Sequence, residues 1–108
     1  MRSNSAEFAS PQALRAARHL ASLVRQARLA RRMPQTELAA RARTTQATVH
    51  RVEHASVQSS LGTWLQVMEQ LGLLPLLLAL EDPTAEALRA EHAAHRARRN
   101  RKSDDLDF

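Results

Sequence analysis

Between Pro34 and Ala55 the chain reads PQTELAARARTTQATVHRVEHA, and the spacing of its apolar residues leaves few ways to fold. Leu38, Ala39 and Ala42 recur at helical intervals, Thr45 interrupts as a hydroxyl suited to cap a helix, and Val49 and Val52 resume one turn apart. The pattern predicts two short helices, one opened by Pro34 and ending near Arg43-Thr44, the other capped by Thr45 and ending near Ala55. Leu38, Ala39, Ala42, Val49 and Val52 form the inner face. Gln46, Ala47, His50, Arg51 and His54 are left outward. Two readings fit this pattern: the helix-turn-helix of a DNA reader, or an αα-hairpin in an ordinary bundle. A bundle has no need of Gln35, Gln46 and Glu53 at these offsets.

Upstream, Ser10-Pro11 reads as a cap followed by proline at the first helical position, and Leu20, Leu23, Val24 and Ala27 recur toward Arg32. A first helix covers much of 11 to 32, its start open between residue 11 and the neighbourhood of residue 19. Downstream, Ser60 caps a helix in which Leu61, Trp64, Leu65, Met68 and Leu71 hold an i, i+3, i+4, i+7 pattern, and Gly72 ends it. The apolar run LLPLLLALED follows. Proline confines a strand to a sheet edge, and an edge this apolar needs a partner. Leu74, Leu76, Leu78 and Leu80 are therefore expected to form a strand that pairs with its copy in a second subunit. Asp82-Pro83 is another cap-and-proline signal, but Ala85 to Lys102 offers only Leu88 and alanines for a core.

A chain of 108 residues suits one domain. Sixteen Lys and Arg against eleven Asp and Glu give a net charge of +5, which points toward polyanionic partners. Two Phe, one Trp and no Tyr argue against modules that stack single-stranded bases on aromatic rings. The lack of cysteine excludes disulfides and thiolate metal sites and makes the cytoplasm the expected compartment. The opening MRSNSAEFAS has no signal-peptide core, and the apolar run from Leu71 to Leu80 falls far short of the ~20 residues that span a bilayer. No membrane association is expected.

A DNA major groove admits one helix, which a second helix must hold across the groove's edge. Gln46 at the start of such a helix can offer its amide to adenine N6 and N7, a pairing worth ~1 to 3 kcal/mol of discrimination. Ala47 can touch a thymine methyl. His50, Arg51 and the turn residue Arg43 can reach bases or phosphates, while Gln35 is placed for a phosphate or for bracing Gln46.

These residues resemble the helix-turn-helix of the phage-repressor-like (Xre) family, whose pattern runs Q, then ELA, a turn, a polar cap, a reading helix and a closing E. Gln35, Glu37-Leu38-Ala39, Thr45, Gln46-Ala47-Thr48-Val49 and Glu53 match. The resemblance implies DNA contacts from Gln35, Arg43, Thr45, Gln46, Ala47, Thr48, His50 and Arg51, and a partly buried ion pair between Arg28 and Glu53. The bland alternative for that pair is two exposed, nearly neutral charges. Leu61, Trp64, Leu65, Met68 and LGLLPLLLAL further resemble HipB-type antitoxins, in which a strand after the bundle pairs across the dimer. The likeness covers roughly Leu20 to Leu80. It implies an antitoxin that represses its own operon and holds a HipA-like Ser/Thr kinase inactive. Leu106 and Phe108 in the terminal DDLDF would form the apolar hook for that toxin.

The sequence departs from the family at Arg43, where the turn glycine is usual, at Thr44, where an aliphatic is usual, at Pro34, which replaces a capping hydroxyl, and at Arg32, which replaces another turn glycine. The pairs His50 and His54, and His92 and His95, have helical spacing for a metal, but no third ligand accompanies either. Nothing resembles a P-loop, a dinucleotide fingerprint or a nucleophile with its base, so neither an enzyme nor a cofactor is expected. The basic run Arg96 to Lys102 reads as a solvated tail or as an arm that adds phosphate contacts.

The expectation is an all-α, lambda-repressor-like helix-turn-helix domain of four to five helices with a short C-terminal β-strand pairing across a homodimer. Residues 1–10 would be a disordered N-terminus, residues 11–82 the DNA-binding and dimerisation domain, and residues 83–108 a basic tail, helical or disordered. Its partners would be an inverted-repeat operator in double-stranded DNA, a second copy, and the kinase toxin. Two alternatives stay open: a standalone Xre-type repressor, and an interaction module that does not read DNA.

Overall fold

The computed structural model describes residues 9–106. Among them the chain forms six helices and no strand: α1 Pro11–Ala30, α2 Gln35–Arg41, α3 Gln46–Glu53, α4 Leu61–Gln70, α5 Leu74–Leu78 and α6 Pro83–Leu106. The protein is all-α. Most of the expected disordered N-terminus lies outside the described residues, as do Phe108 and the side chain of Leu106. The chain divides into two compact units, one ending at Leu77 and the other beginning at Leu78.

Helix starts follow local chemistry. Ser10 accepts a hydrogen bond from the Ala13 backbone N–H at 3.0 Å, with Pro11 behind it in the first turn, so α1 begins at the earlier of its two candidate starts. Thr45 and Ser60 cap α3 and α4 in the same way, through the N–H groups of Thr48 and Thr63. Pro34 precedes α2 and supplies no capping side chain, so α2 starts one residue later than its proline suggested.

The first four helices end alike. After α1, α2, α3 and α4 the chain turns through a left-handed residue, Arg32, Arg43, Ala55 and Gly72, with φ of 50°, 57°, 59° and 72°. In each case the next N–H reaches back to the carbonyl five residues earlier: Met33 to Arg28, Thr44 to Ala39, Ser56 to Arg51 and Leu73 to Met68, at 2.9 to 3.2 Å. This is the Schellman motif, which satisfies carbonyls the helix leaves orphaned. Only the last of the four uses glycine.

In the first unit, the core gathers Val24 from α1, Met33, Leu38, Ala39 and Ala42 from α2 and its flanks, Val49 and Val52 from α3, and Val67, Met68 and Leu71 from α4 and its end. All five inner-face positions expected of the α2–α3 pair are buried. The apolar stripe of α4 divides. Val67, which the i, i+3, i+4 reading passed over, is fully buried, whereas Leu61 is 72% exposed. Trp64 and Leu65 are half-buried and, with Leu61, Ala13, Ala17 and Leu20, line an apolar groove of about 460 Å³.

The expected strand is corrected. Leu74 to Leu78 is a single turn-and-a-half of helix, and Leu80 follows it outside any regular element. A strand in one chain would leave its backbone groups unpaired, whereas a helix satisfies them internally, and Pro75 is tolerated in a first turn. Leu76, Leu78 and Leu80 remain 55%, 85% and 74% exposed.

In the second unit, α6 begins where Asp82-Pro83 placed it: the Asp82 carboxylate accepts from the Thr84 N–H at 3.0 Å. Its side chains described through Lys102 are exposed apart from the half-buried Ala85.

Candidate nucleic-acid interface

The α2–α3 turn is short because three residues between Arg41 and the Thr45 cap suffice to reverse the chain once Arg43 adopts its left-handed conformation. This leaves α3 with a buried side, Val49, Val52 and Glu53, and an open one. Gln46, Ala47, His50, Arg51 and His54 are all exposed, as is Arg43 in the turn. Gln35, Gln46, Ala47, His50 and Arg51 line one depression in the surface. Four residues of the outward face expected on α3 thus share one depression with Gln35.

Beneath them lies a buried ion pair. Arg28 donates through Nε to Oε2 of Glu53 at 2.7 Å and through Nη2 to Oε1 at 2.9 Å, while Nη1 donates to the Met33 carbonyl at 2.9 Å. Both residues are 8% exposed, so the nearly neutral surface pair is excluded. Burial alone would push the Glu53 carboxyl up. The hydrogen bonds from Arg28 and Gln35 and the charges of Arg28 and Arg25 outweigh it and hold the group below the usual carboxylate range. The bond to Glu53 correspondingly raises Arg28, against the opposing effect of its own burial.

A chain of side chains joins this pair to the surface. Gln35 Nε2 donates to Glu53 Oε1 at 3.2 Å, and Gln46 Nε2 approaches Gln35 Oε1 at 3.5 Å. The second contact is longer than a typical N–H···O bond, so it aligns Gln46 loosely and leaves it free to turn toward a ligand. Gln35 is itself held by Glu53 and restrains Gln46 only weakly. Thr45 and Thr48 share a hydroxyl bond of 2.9 Å, and Arg51 Nη2 donates to Thr48 Oγ1 at 3.1 Å, which sets the guanidinium along α3. The His50 and His54 rings lie 3.9 Å apart, and His54 Nδ1 sits 2.8 Å from the His50 carbonyl oxygen. Among the described residues no three His, Asp or Glu side chains are grouped as a metal requires, and no helix is long and apolar enough to cross a membrane.

One feature was not anticipated. Thr44, Thr48, Arg51, Ser56, Ser59 and Thr63 line a second, polar cleft beside the first. Hydroxyls and a guanidinium are the groups that commonly contact phosphate oxygens. The SVQSS connector after α3 carried the signal in its hydroxyl content, but it has no periodicity to fix where those hydroxyls point.

No family model, curated protein or solved structure matches the chain.

Proposed function

We propose that this chain is a sequence-specific reader of double-stranded DNA that acts as a homodimeric transcriptional repressor, with α2 and α3 as its helix-turn-helix. The observation that carries this reading is the convergence of Gln35, Gln46, Ala47, His50 and Arg51 on one exposed depression of α3, above a helix anchored from behind by a buried ion pair. In this reading Gln46 and Ala47 contact base edges, and His50 contacts a base or phosphate. Arg43 and Arg51 take phosphates, with Thr45, Thr48 and the adjoining hydroxyl cleft in support.

Selection from a random duplex library tests it. The expected product is an inverted repeat with half-sites about one helical turn apart. Gln46→Ala should lose ~1 to 3 kcal/mol of preference for the selected sequence, and Gln35→Ala should lose part of the same preference although it need not touch a base. Library recovery without enrichment would defeat the reading.

The antitoxin half, autorepression combined with restraint of a HipA-like Ser/Thr kinase, rests on the resemblance alone. One observation favours the standalone repressor instead: the dimer strand was among the features that placed the chain with the HipB-type proteins, and that segment is helical. Affinity capture from the native host, with the intact chain and with one lacking its last three residues, separates the two. A kinase-sized partner lost on truncation supports the antitoxin, and recovery of DNA alone supports the repressor.

A further inference from the structure

Helix α6 has nothing of its own to pack. It carries Arg96, Arg98, Arg99, Arg101 and Lys102 close together, and among the described residues none of these has an acidic partner; only Arg89 does, bonded to Glu86 at 2.7 Å. A helix without a stripe of large apolar side chains needs outside support. The helical conformation sorts these charges in a way the linear sequence does not. At 3.6 residues per turn, Arg89, His92, His95, Arg96, Arg99 and Lys102 fall within an arc of about 140°, and no acidic residue shares it. Ala87, Ala90, Ala94 and Ala97 line the opposite side with Arg101, and Arg98 lies near its edge. The cationic face runs about 20 Å along the axis.

We infer that α6 is a second nucleic-acid contact, a helix whose Arg89–Lys102 face tracks the phosphate backbone of duplex DNA without reading sequence. The inference rests on the proposed DNA-reading function. Arg96, Arg99 and Lys102 at three-residue intervals, with Arg89 about two turns earlier on the same face, match a linear polyanion better than a compact anionic ligand. An anionic membrane fits less well, because helices that lie in a bilayer interface present large apolar side chains opposite their charges, and here that side is alanine. Only four residues, Ala79 to Asp82, separate α5 from α6, a reach of about 14 Å at full extension. Because the two are covalently joined, contact by α6 with DNA already held by α3 is an intramolecular event.

The test compares two double variants of the full chain that remove the same charge from the same helix: Arg96→Gln/Arg99→Gln on the face, and Arg98→Gln/Arg101→Gln off it. Affinity is measured by fluorescence anisotropy over about 50 to 200 mM salt, on the duplex selected by the wild-type protein and on a random one. The face pair should make the slope of log K against log salt shallower by about 1.8, at 0.9 per phosphate, and the off-face pair by less than half as much. Preference for the selected duplex should be unchanged in both. Equal losses would reduce α6 to diffuse charge, and no loss would remove it from the interface; either overturns the inference. Binding to phosphatidylglycerol vesicles that the face pair abolishes, with the DNA slope intact, would make it a lipid-binding helix instead. If the wild type shows no preference for any duplex, the DNA-reading proposal falls, yet the difference between the two slopes still reports on α6.

Discussion

Arg28 and Glu53, twenty-five positions apart in the chain, meet through two parallel hydrogen bonds of 2.7 and 2.9 Å in the interior. They fasten the last turn of α1 to the last residue of α3. Glu53→Ala would strand a buried guanidinium, so it should cost ~3 to 5 kcal/mol in urea denaturation. Replacing both partners, Arg28→Met with Glu53→Leu, should recover most of that loss. A cost below ~1 kcal/mol for Glu53→Ala would mean the pair is effectively solvated.

Acid should weaken the same connection. The folded carboxyl of Glu53 is held below its ordinary value, so its contribution is complete above the unfolded pKa of about 4.3 and disappears as pH falls through the lower folded value. Arg28 is shifted upward, and its contribution is complete everywhere below the unfolded arginine value, beyond the range of ordinary experiments. The acid limb of the pair therefore belongs to Glu53. Stability measured from pH 7 to pH 2 should show the gap between wild type and Glu53→Gln closing as the pH drops below about 4.

Arg43 and Ala55 occupy left-handed positions at φ of 57° and 59°, where a side chain costs ~1 to 2 kcal/mol relative to glycine. Part of that gain is offset because glycine also loosens the unfolded chain. Arg43→Gly and Ala55→Gly should each raise stability by about 1 kcal/mol in thermal melts. Only Arg43→Gly should weaken DNA binding, since it alone removes a charge from the interface. Matching losses of affinity would mean that turn geometry, not charge, is what the DNA senses.

Leu76, Leu78 and Leu80 are more than half exposed, large apolar side chains close together in sequence that the single chain leaves uncovered. If they form the dimer contact, Leu76→Lys with Leu78→Lys should halve the mass seen in sedimentation equilibrium while leaving the far-ultraviolet circular dichroism unchanged. A variant that stays dimeric would place the contact elsewhere, and a monomeric wild type would exclude it.

Features governed by nearest neighbours were readable from sequence. The caps at Ser10, Thr45, Ser60 and Asp82, the inner face from Leu38 to Val52 and the outward set on α3 all depend on spacings of three or four residues. The Arg28–Glu53 pair was accessible only through a family resemblance, because no local rule joins residues so far apart. LLPLLLAL misled because an unbroken apolar run has no period; the strand was inferred from a partner the isolated chain does not supply. Ala55 gave no hint of its left-handed backbone, since the residue that usually announces such a turn is glycine; Arg32 and Arg43 were marked as turn positions only through the family resemblance. The hydroxyl cleft was missed because Ser56 and Ser59 come from an irregular connector.

The two helices of the proposed reading motif are seven and eight residues long, shorter than the ~12 to 15 that an isolated helix needs to hold its shape in water. Outside the folded core, then, the reading surface does not exist. Occupancy of an operator would be tied to the cooperative melting of the whole unit. A rise in temperature through that transition would release the DNA in step with the unfolding, so the control circuit would inherit its thermal threshold from the packing of Val24, Leu38, Val49 and Val52.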